Sequence, residues 1–329
     1  MLVDIIIAFV ISAVITSVAG YKLIPALHKR SAVQSIREDG PVWHKSKQGT
    51  PTMGGVMFII GITAACLTEG FLVMRRGEFN HIYILVFAIL FAMIGFLDDY
   101  KKFTKKQNLG LTAIHKSILQ LFIALSFTAF MHIAGILSAE IYIPFFEVSL
   151  PVPLPVYYVF SVFVIIGTVN SVNITDGADG LATGVTIPVA VCMTAAAYLL
   201  GYTSLAVFAA ALTGGLAAFL FFNFHPAKVF MGDTGSLFLG GAVCAMAFAI
   251  DMPLLLILLG FVYFVETLSD IIQVSYYKIT KGKRVFKMAP IHHHFEMCGW
   301  SEYKLFTVFT TVSALFAGIS LIAVFMRYA

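Results

Sequence analysis

The chain has 329 residues, of which 60% are hydrophobic and only 12% charged, with a formal net charge of +4. Soluble proteins carry about 45–50% apolar and about 25% charged residues. The composition therefore excludes ordinary soluble domains, a disordered chain and a collagen-like fibre, and it is read as an all-α polytopic membrane protein, one transmembrane domain over 1–329.

A span takes about 20 mostly apolar residues. In chain order such runs fall near 2–22, 53–69, 81–97, 117–137, 156–172, 181–200, 204–222, 235–250, 254–277 and 305–326. The first has no basic segment before it and no clear small-residue cleavage site, so it is read as a retained span and not a signal peptide. The turns at Gly201–Tyr202–Thr203 and Asp251–Met252–Pro253 are too short to carry chemistry, and they force antiparallel neighbours. Segment 138–155, with Glu140 and Glu147, is expected at the outer interface. The ninth run contains Glu266 and Asp270, acids that lipid penalises, and is expected to break or bend away near them. Cys66, Cys192, Cys244 and Cys298 are scattered without CxxC spacing, which supports neither a disulfide framework nor a zinc ribbon.

The long polar loops, 23–52, 98–116, 173–180, 223–234 and 278–304, all fall on one side. With Lys22 they hold eighteen of the 21 Lys and Arg; only Arg75, Arg76 and Arg327 lie opposite. Positive-inside reasoning puts the five loops in the cytoplasm and, with ten spans, both termini outside.

Acids gather at the ends of spans on that same basic face. Asp98-Asp99 follows one apolar run, Asp176 and Asp179 follow another, and Asp233 precedes a third. Adjacent carboxylates at a helix end suit Mg²⁺, which prefers oxygen ligands, or one of them can take a proton; a plain helix stop reads the same way. The segment Asn170–Leu181 packs amides, acids and glycines more densely than a turn needs, which marks a binding loop. Asp233-Thr234-Gly235-Ser236 opens a span, and free N–H groups at a helix start attract phosphate. Asp233 as a simple N-cap is the plainer reading. The lysine of a Walker A loop is missing, and an aspartic-protease dyad cannot be built from this chain. His292-His293-His294 does not match a usual zinc spacing, so one or two imidazoles are expected on phosphate or substrate. Carboxylates for a metal, basic residues for phosphates, Asn, Gly and Asp for a sugar nucleotide, and a membrane that supplies a lipid make a set of parts for phosphoryl transfer.

The strings GTPTMGG (49–55), DDYKK (98–102), NSVNITDGADGL (170–181), FNFHPAKVFMGDTGS (222–236) and APIHHHFE (289–296) closely resemble those of the phospho-N-acetylmuramoyl-pentapeptide transferase (MraY) family. This family lies within the polyprenyl-phosphate N-acetylhexosamine-1-phosphate transferases. The resemblance covers most of the chain and implies ten helices with both termini outside. It implies transfer of the phospho-sugar of UDP-N-acetylmuramoyl-pentapeptide to undecaprenyl phosphate, giving lipid I and UMP, with Mg²⁺ as cofactor, in the bacterial cytoplasmic membrane. Asp98, Asp99 and Asp233 match the family's essential acids and are the expected catalytic and metal residues, with Asp98 a candidate base; His292 joins the catalytic set. Asn173, Asp176, Gly177 and Asp179 match the nucleoside-side loop, with Asn223 and Phe230 near the uracil. Lys47, Thr52 and Lys116 match positions around the phosphates and sugar, and His293 and His294 complete the triple-His loop. His225 departs from the family, many of whose members have Asn there. Membrane lipid is an expected partner, nucleic acid is not, and a homodimer is one open assembly. The competing activity is a UDP-N-acetylglucosamine-1-phosphate transferase, against which GTPTMGG and APIHHHFE both argue. A secondary transporter would place polar groups near mid-membrane and show repeats, and a structural protein leaves the converging acids unexplained.

Overall fold

A computed structural model describes residues 1–29, 49–105 and 110–328. Among these, nine helices are long and apolar enough to cross a membrane, and a bent pair makes a tenth. The nine are α1 (Leu2–Lys29), α2 (Gly55–Met74), α3 (Asn80–Lys105), α4 (Ala113–Ile133), α5 (Leu154–Thr175), α6 (Leu181–Leu199), α7 (Thr203–Asn223), α8 (Gly232–Ala249) and α12 (Glu302–Tyr328). The bent pair is a short 3₁₀ turn (Pro253–Leu255) leading into α9 (Leu256–Leu259), then α10 (Phe261–Ile279) at 85° to it, and the short helix α11 (Ile291–Met297) follows. A bundle of helices is what hydrocarbon permits, because every backbone N–H and C=O must then be satisfied within its own segment.

Helices α7 and α8 form the centre and are apolar all round. α8 packs on α3, α5 and α2, and α7 on α1, α2 and α6. Phe58, Phe219 and Phe238 meet where α2, α7 and α8 come together. α1 and α12 sit outside, with Val3, Val10, Val14, Leu315 and Phe325 exposed to what lipid would cover.

The structure departs from the hydropathy reading in three places. α3 does not stop at Asp98-Asp99 but continues to Lys105. The edge of an apolar run marks the edge of hydrocarbon rather than of a helix, and Lys102 reaches back to Asp98 at 2.6 Å across one turn. α4 begins at Ala113, so Lys116 lies on a helix and not in a loop. The ninth span does break, but at Gly260, six residues before Glu266. Its acids are handled differently: Glu266 is turned inward and fully buried.

Segment 138–155 folds into a hairpin, β1 (Glu140–Ile143) antiparallel to β2 (Val148–Pro151), with Ile141 opposite Leu150. The Arg327 guanidinium lies 4.5 Å over the Tyr142 ring and bonds Asp251, whose carboxylate also accepts from Ser138. This network ties the hairpin to the ends of α8 and α12.

At Gly95 the backbone of α3 lies directly against the start of α8: a Cβ there would overlap the Asp233 carbonyl. Gly95→Ala is expected to destabilise the protein by about 1–3 kcal/mol, the range for overpacking, read as a lower melting temperature in detergent. Gly318→Ala, at an exposed position inside α12, is the control and does not lower the melting temperature, because alanine fits the helix there without strain.

Candidate active site

The site is built around the start of α8. Gly232 opens that helix at φ +71°, a conformation L side chains rarely adopt, and a Cβ there would crowd Asp99 and Thr52. Upstream, Phe230 N–H donates to the Pro51 carbonyl at 2.8 Å, Gly54 N–H to the Phe230 carbonyl at 2.8 Å, and Gly55 N–H to the Met231 carbonyl at 3.0 Å. This ladder brings GTPTMGG and FMGD together and sets Thr52 beside Gly232.

Asp99 closes the arrangement from α3. Its carboxylate accepts from Thr234 N–H at 2.9 Å, Thr234 Oγ1–H at 2.7 Å and Asp233 N–H at 3.2 Å. Asp233 therefore does not cap its own helix. Asp99 caps α8 from a neighbouring helix, and the Asp233 side chain is left for other partners.

Those partners are cations and an amide. Lys102 on α3 and Lys116 on α4 reach Asp233 Oδ2 at 3.2 and 3.1 Å, while Asn173 on α5 donates to Oδ1 at 2.9 Å. Asn173 also donates to Ser236 Oγ at 2.7 Å. Asp98 takes Lys102 on one oxygen and the Leu111 N–H, at 2.7 Å, on the other. One oxygen each from Asp98, Asp99 and Asp233 lies within 4.8 Å of the others. Hard carboxylate oxygens at that spacing suit Mg²⁺, which needs only one or two protein carboxylates when phosphates supply the rest. Asp98, Asp99 and Asp233 are the three residues that could hold such an ion.

A second group lies at the start of α6. Asp179 Oδ2 accepts from His225 Nδ1 at 2.9 Å and from Ala227 N–H at 3.0 Å, and Glu302 on α12 accepts from Asp179 N–H at 3.1 Å. His225, the residue that departs from the resembled pattern, is thus the clasp between the 173–180 and 223–231 segments, with its ring against Tyr303. Asn223 is buried, accepting from Thr183 Oγ1 at 2.7 Å and donating to the Val229 carbonyl at 3.0 Å. Its amide holds the loop shape. Phe230 is half-buried beside the ladder, and Asp176 and Gly177 are half-buried just past α5. Lys47 lies outside the described residues.

The triple-His segment is helical, and the rings of His292 and His293 lie with centroids 4.1 Å apart. Each Nδ1 has a partner: His292 meets Glu266 at 2.9 Å, His293 meets Glu296 at 2.7 Å, and His294 accepts from Lys287 N–H at 3.1 Å. Burial disfavours charge on His292, yet the carboxylates of Glu266, Glu296 and Asp270 outweigh it and raise the imidazole above its ordinary value. Gln273 on α10 binds the backbone of Val285 and Phe286, which folds the last loop back over α10.

Three contributors were not singled out from the sequence. Lys102 could have been found from its i, i+4 spacing to Asp98. Thr234 and Ser236 act through contacts between helices distant in sequence, for which no local signal exists.

Residues 81–251 match the model of Glycosyl transferase family 4, and residues 47–59 match Phospho-N-acetylmuramoyl-pentapeptide-transferase signature 1. The chain is 46% identical over 318 residues to the phospho-N-acetylmuramoyl-pentapeptide-transferase of Clostridium perfringens strain 13, covering 96% of this chain and 97% of that protein. It is 43% identical over 308 residues to the protein of the same name from Staphylococcus aureus strain bovine RF122, covering 93% and 94%. The Bacillus licheniformis protein of that name is 43% identical over 318 residues, covering 96% and 95%. A match that runs nearly end to end, through every segment that builds the acid cluster, means that the chain belongs to the phospho-N-acetylmuramoyl-pentapeptide-transferase family.

Proposed function

We propose that this multi-pass membrane protein transfers phospho-N-acetylmuramoyl-pentapeptide from its UDP donor to undecaprenyl phosphate, giving lipid I and UMP in the bacterial cytoplasmic membrane. The observation that carries the reading is the joining of Asp98, Asp99 and Asp233 with Lys102 and Lys116 at one point between α3, α4 and α8, in a chain with family relatives along nearly its whole length.

An oxygen of the lipid phosphate attacks the sugar-linked phosphorus of the donor. The bond from that phosphorus to the bridging oxygen breaks, and UMP leaves with the bridging oxygen. Such transfer depends on positioning and charge neutralisation. Lys102 and Lys116 supply two ammonium groups for phosphate oxygens beside the start of α8. Asp98, held by Lys102 and the Leu111 N–H, takes the remaining proton of the lipid phosphate. Asp98, Asp99 and Asp233 would hold Mg²⁺, which would neutralise the donor's diphosphate and the charge gathering on the departing UMP. The segments 173–180 and 223–231, clasped by His225 and Asp179, receive the nucleotide. The face that carries the lysines is cytoplasmic, and both termini lie outside.

Asp233→Asn keeps shape and removes charge. Its kcat is expected to fall by about 10³-fold, typical of losing a main electrostatic element, with folding intact and an altered dependence of rate on Mg²⁺ concentration. A folded variant with wild-type turnover and unchanged Mg²⁺ dependence refutes the metal assignment. Purified protein in detergent should release UMP from UDP-N-acetylmuramoyl-pentapeptide, and much more slowly from UDP-N-acetylglucosamine; the reverse preference would identify the competing activity. For sidedness, single cysteines replacing Lys283 and Glu147 in a background without Cys298, the exposed native thiol, should react with an impermeant reagent from the cytoplasm and from outside, respectively. Exchange of the two accessibilities would invert the topology.

A further inference from the structure

Glu266 and His292 form a fully buried pair outside the acid cluster. Glu266 sits on α10, one and a half turns beyond the Gly260 break, and His292 on the first turn of α11. Glu266 Oε2 meets His292 Nδ1 at 2.9 Å and lies 3.5 Å from the backbone N of His292. Among the described residues, Glu266 Oε1 and His292 Nε2 have no hydrogen-bond partner. The Nε2 edge is aimed at Gly177, where a Cβ would overlap it. Gly177 has no positive φ, so its requirement is space for this imidazole and not backbone freedom. Burying a carboxylate away from water is expensive unless it is paired, and lipid adds to that cost. A purely structural contact between two helices could be made by apolar side chains at lower cost. The pair also joins three elements distant in sequence: the bent helix, the triple-His helix and the loop that follows α5.

We propose that Glu266 is a positioning residue for the donor side of the reaction: it fixes the His292 imidazole under Gly177, and so sets the height of the 176–180 loop against the nucleotide. This rests on the transferase reading above. Glu266 touches no reacting atom. It acts through His292, whose ring cannot turn while Nδ1 is held, and the ring in turn supports Gly177. Acceptor lipid phosphate, handled by Asp98, Lys102 and Lys116, is not served by this pair.

The test compares full-length wild type, Glu266→Ala, Glu266→Gln and Gly177→Ala in detergent. It measures kcat, separate KM values for the sugar nucleotide and for polyprenyl phosphate, calorimetric affinity for UMP, and melting temperature. Glu266→Ala should raise the donor KM and weaken UMP binding by about tenfold or more, with the acceptor KM within about twofold of wild type. Glu266→Gln should fall between, because an amide oxygen still accepts from Nδ1–H. Gly177→Ala, which displaces the ring directly, should shift the donor KM in the same sense. If Glu266→Ala does not fold, Glu266→Gln and Gly177→Ala decide. Donor KM and UMP affinity unchanged in the folded variants, or donor and acceptor KM rising together, overturns the assignment. Wild-type protein that neither releases nor binds UMP overturns the transferase reading and this inference with it.

Discussion

The first N–H groups of any helix lack partners of their own, and α8 begins inside the protein, where water cannot supply them. Asp99 answers that need from a different helix, accepting from Asp233 N–H, Thr234 N–H and Thr234 Oγ1–H. Much of the site follows from this bond set. With its helix start already capped, the Asp233 side chain points to Lys102, Lys116 and Asn173. The backbone ladder from Pro51 to Gly55 holds the other side of the same helix start, and the glycine at position 232 leaves room for Asp99 and Thr52 to meet there.

The electrostatic result is a balance that suits polyanionic substrates. Three carboxylates against two ammonium groups leave one formal negative charge in a small, half-buried space. A dication reverses that sign and makes the place receptive to a diphosphate; without it, the lysines keep the acids from repelling one another. Lys102 is central because, among the cations of the described residues, it alone pairs with both Asp98 and Asp233.

Much of the bundle was legible from hydropathy, because a run such as Ile82–Leu97 has no other stable home. The acids were legible too, since charge at the edge of an apolar run costs free energy and calls for a reason. Hydropathy could not report that α3 continues through Asp98 and Asp99. It measures burial in lipid, whereas helix continuation depends on backbone hydrogen bonds and on the Asp98–Lys102 pairing. The break at Gly260 was expected beside Glu266, on the premise that acids must leave hydrocarbon. The protein instead keeps Glu266 buried against His292 and turns the chain at a glycine one and a half turns earlier. The hairpin at 140–151 carries only short alternation, and its role shows only once Arg327, from the far end of the chain, lies over Tyr142. His225 was legible as an oddity, but its clasp on Asp179 needed the fold.

The contact at Gly95 gives α3 and α8 a mechanical relation that side-chain packing would not. A side chain between two helices can change rotamer and absorb small displacements. Where a glycine lies directly on a carbonyl, no torsion is available to do so, and the carbonyl here belongs to Asp233 itself. A slight tilt of either axis is delivered directly to the backbone that carries the Asp233 carboxylate. Residues far down these helices, facing only lipid or one another, thus share in aiming the acid. The membrane-embedded interior serves as the frame that keeps the site's tolerances, while adaptation to substrates of different shape is left to the loops.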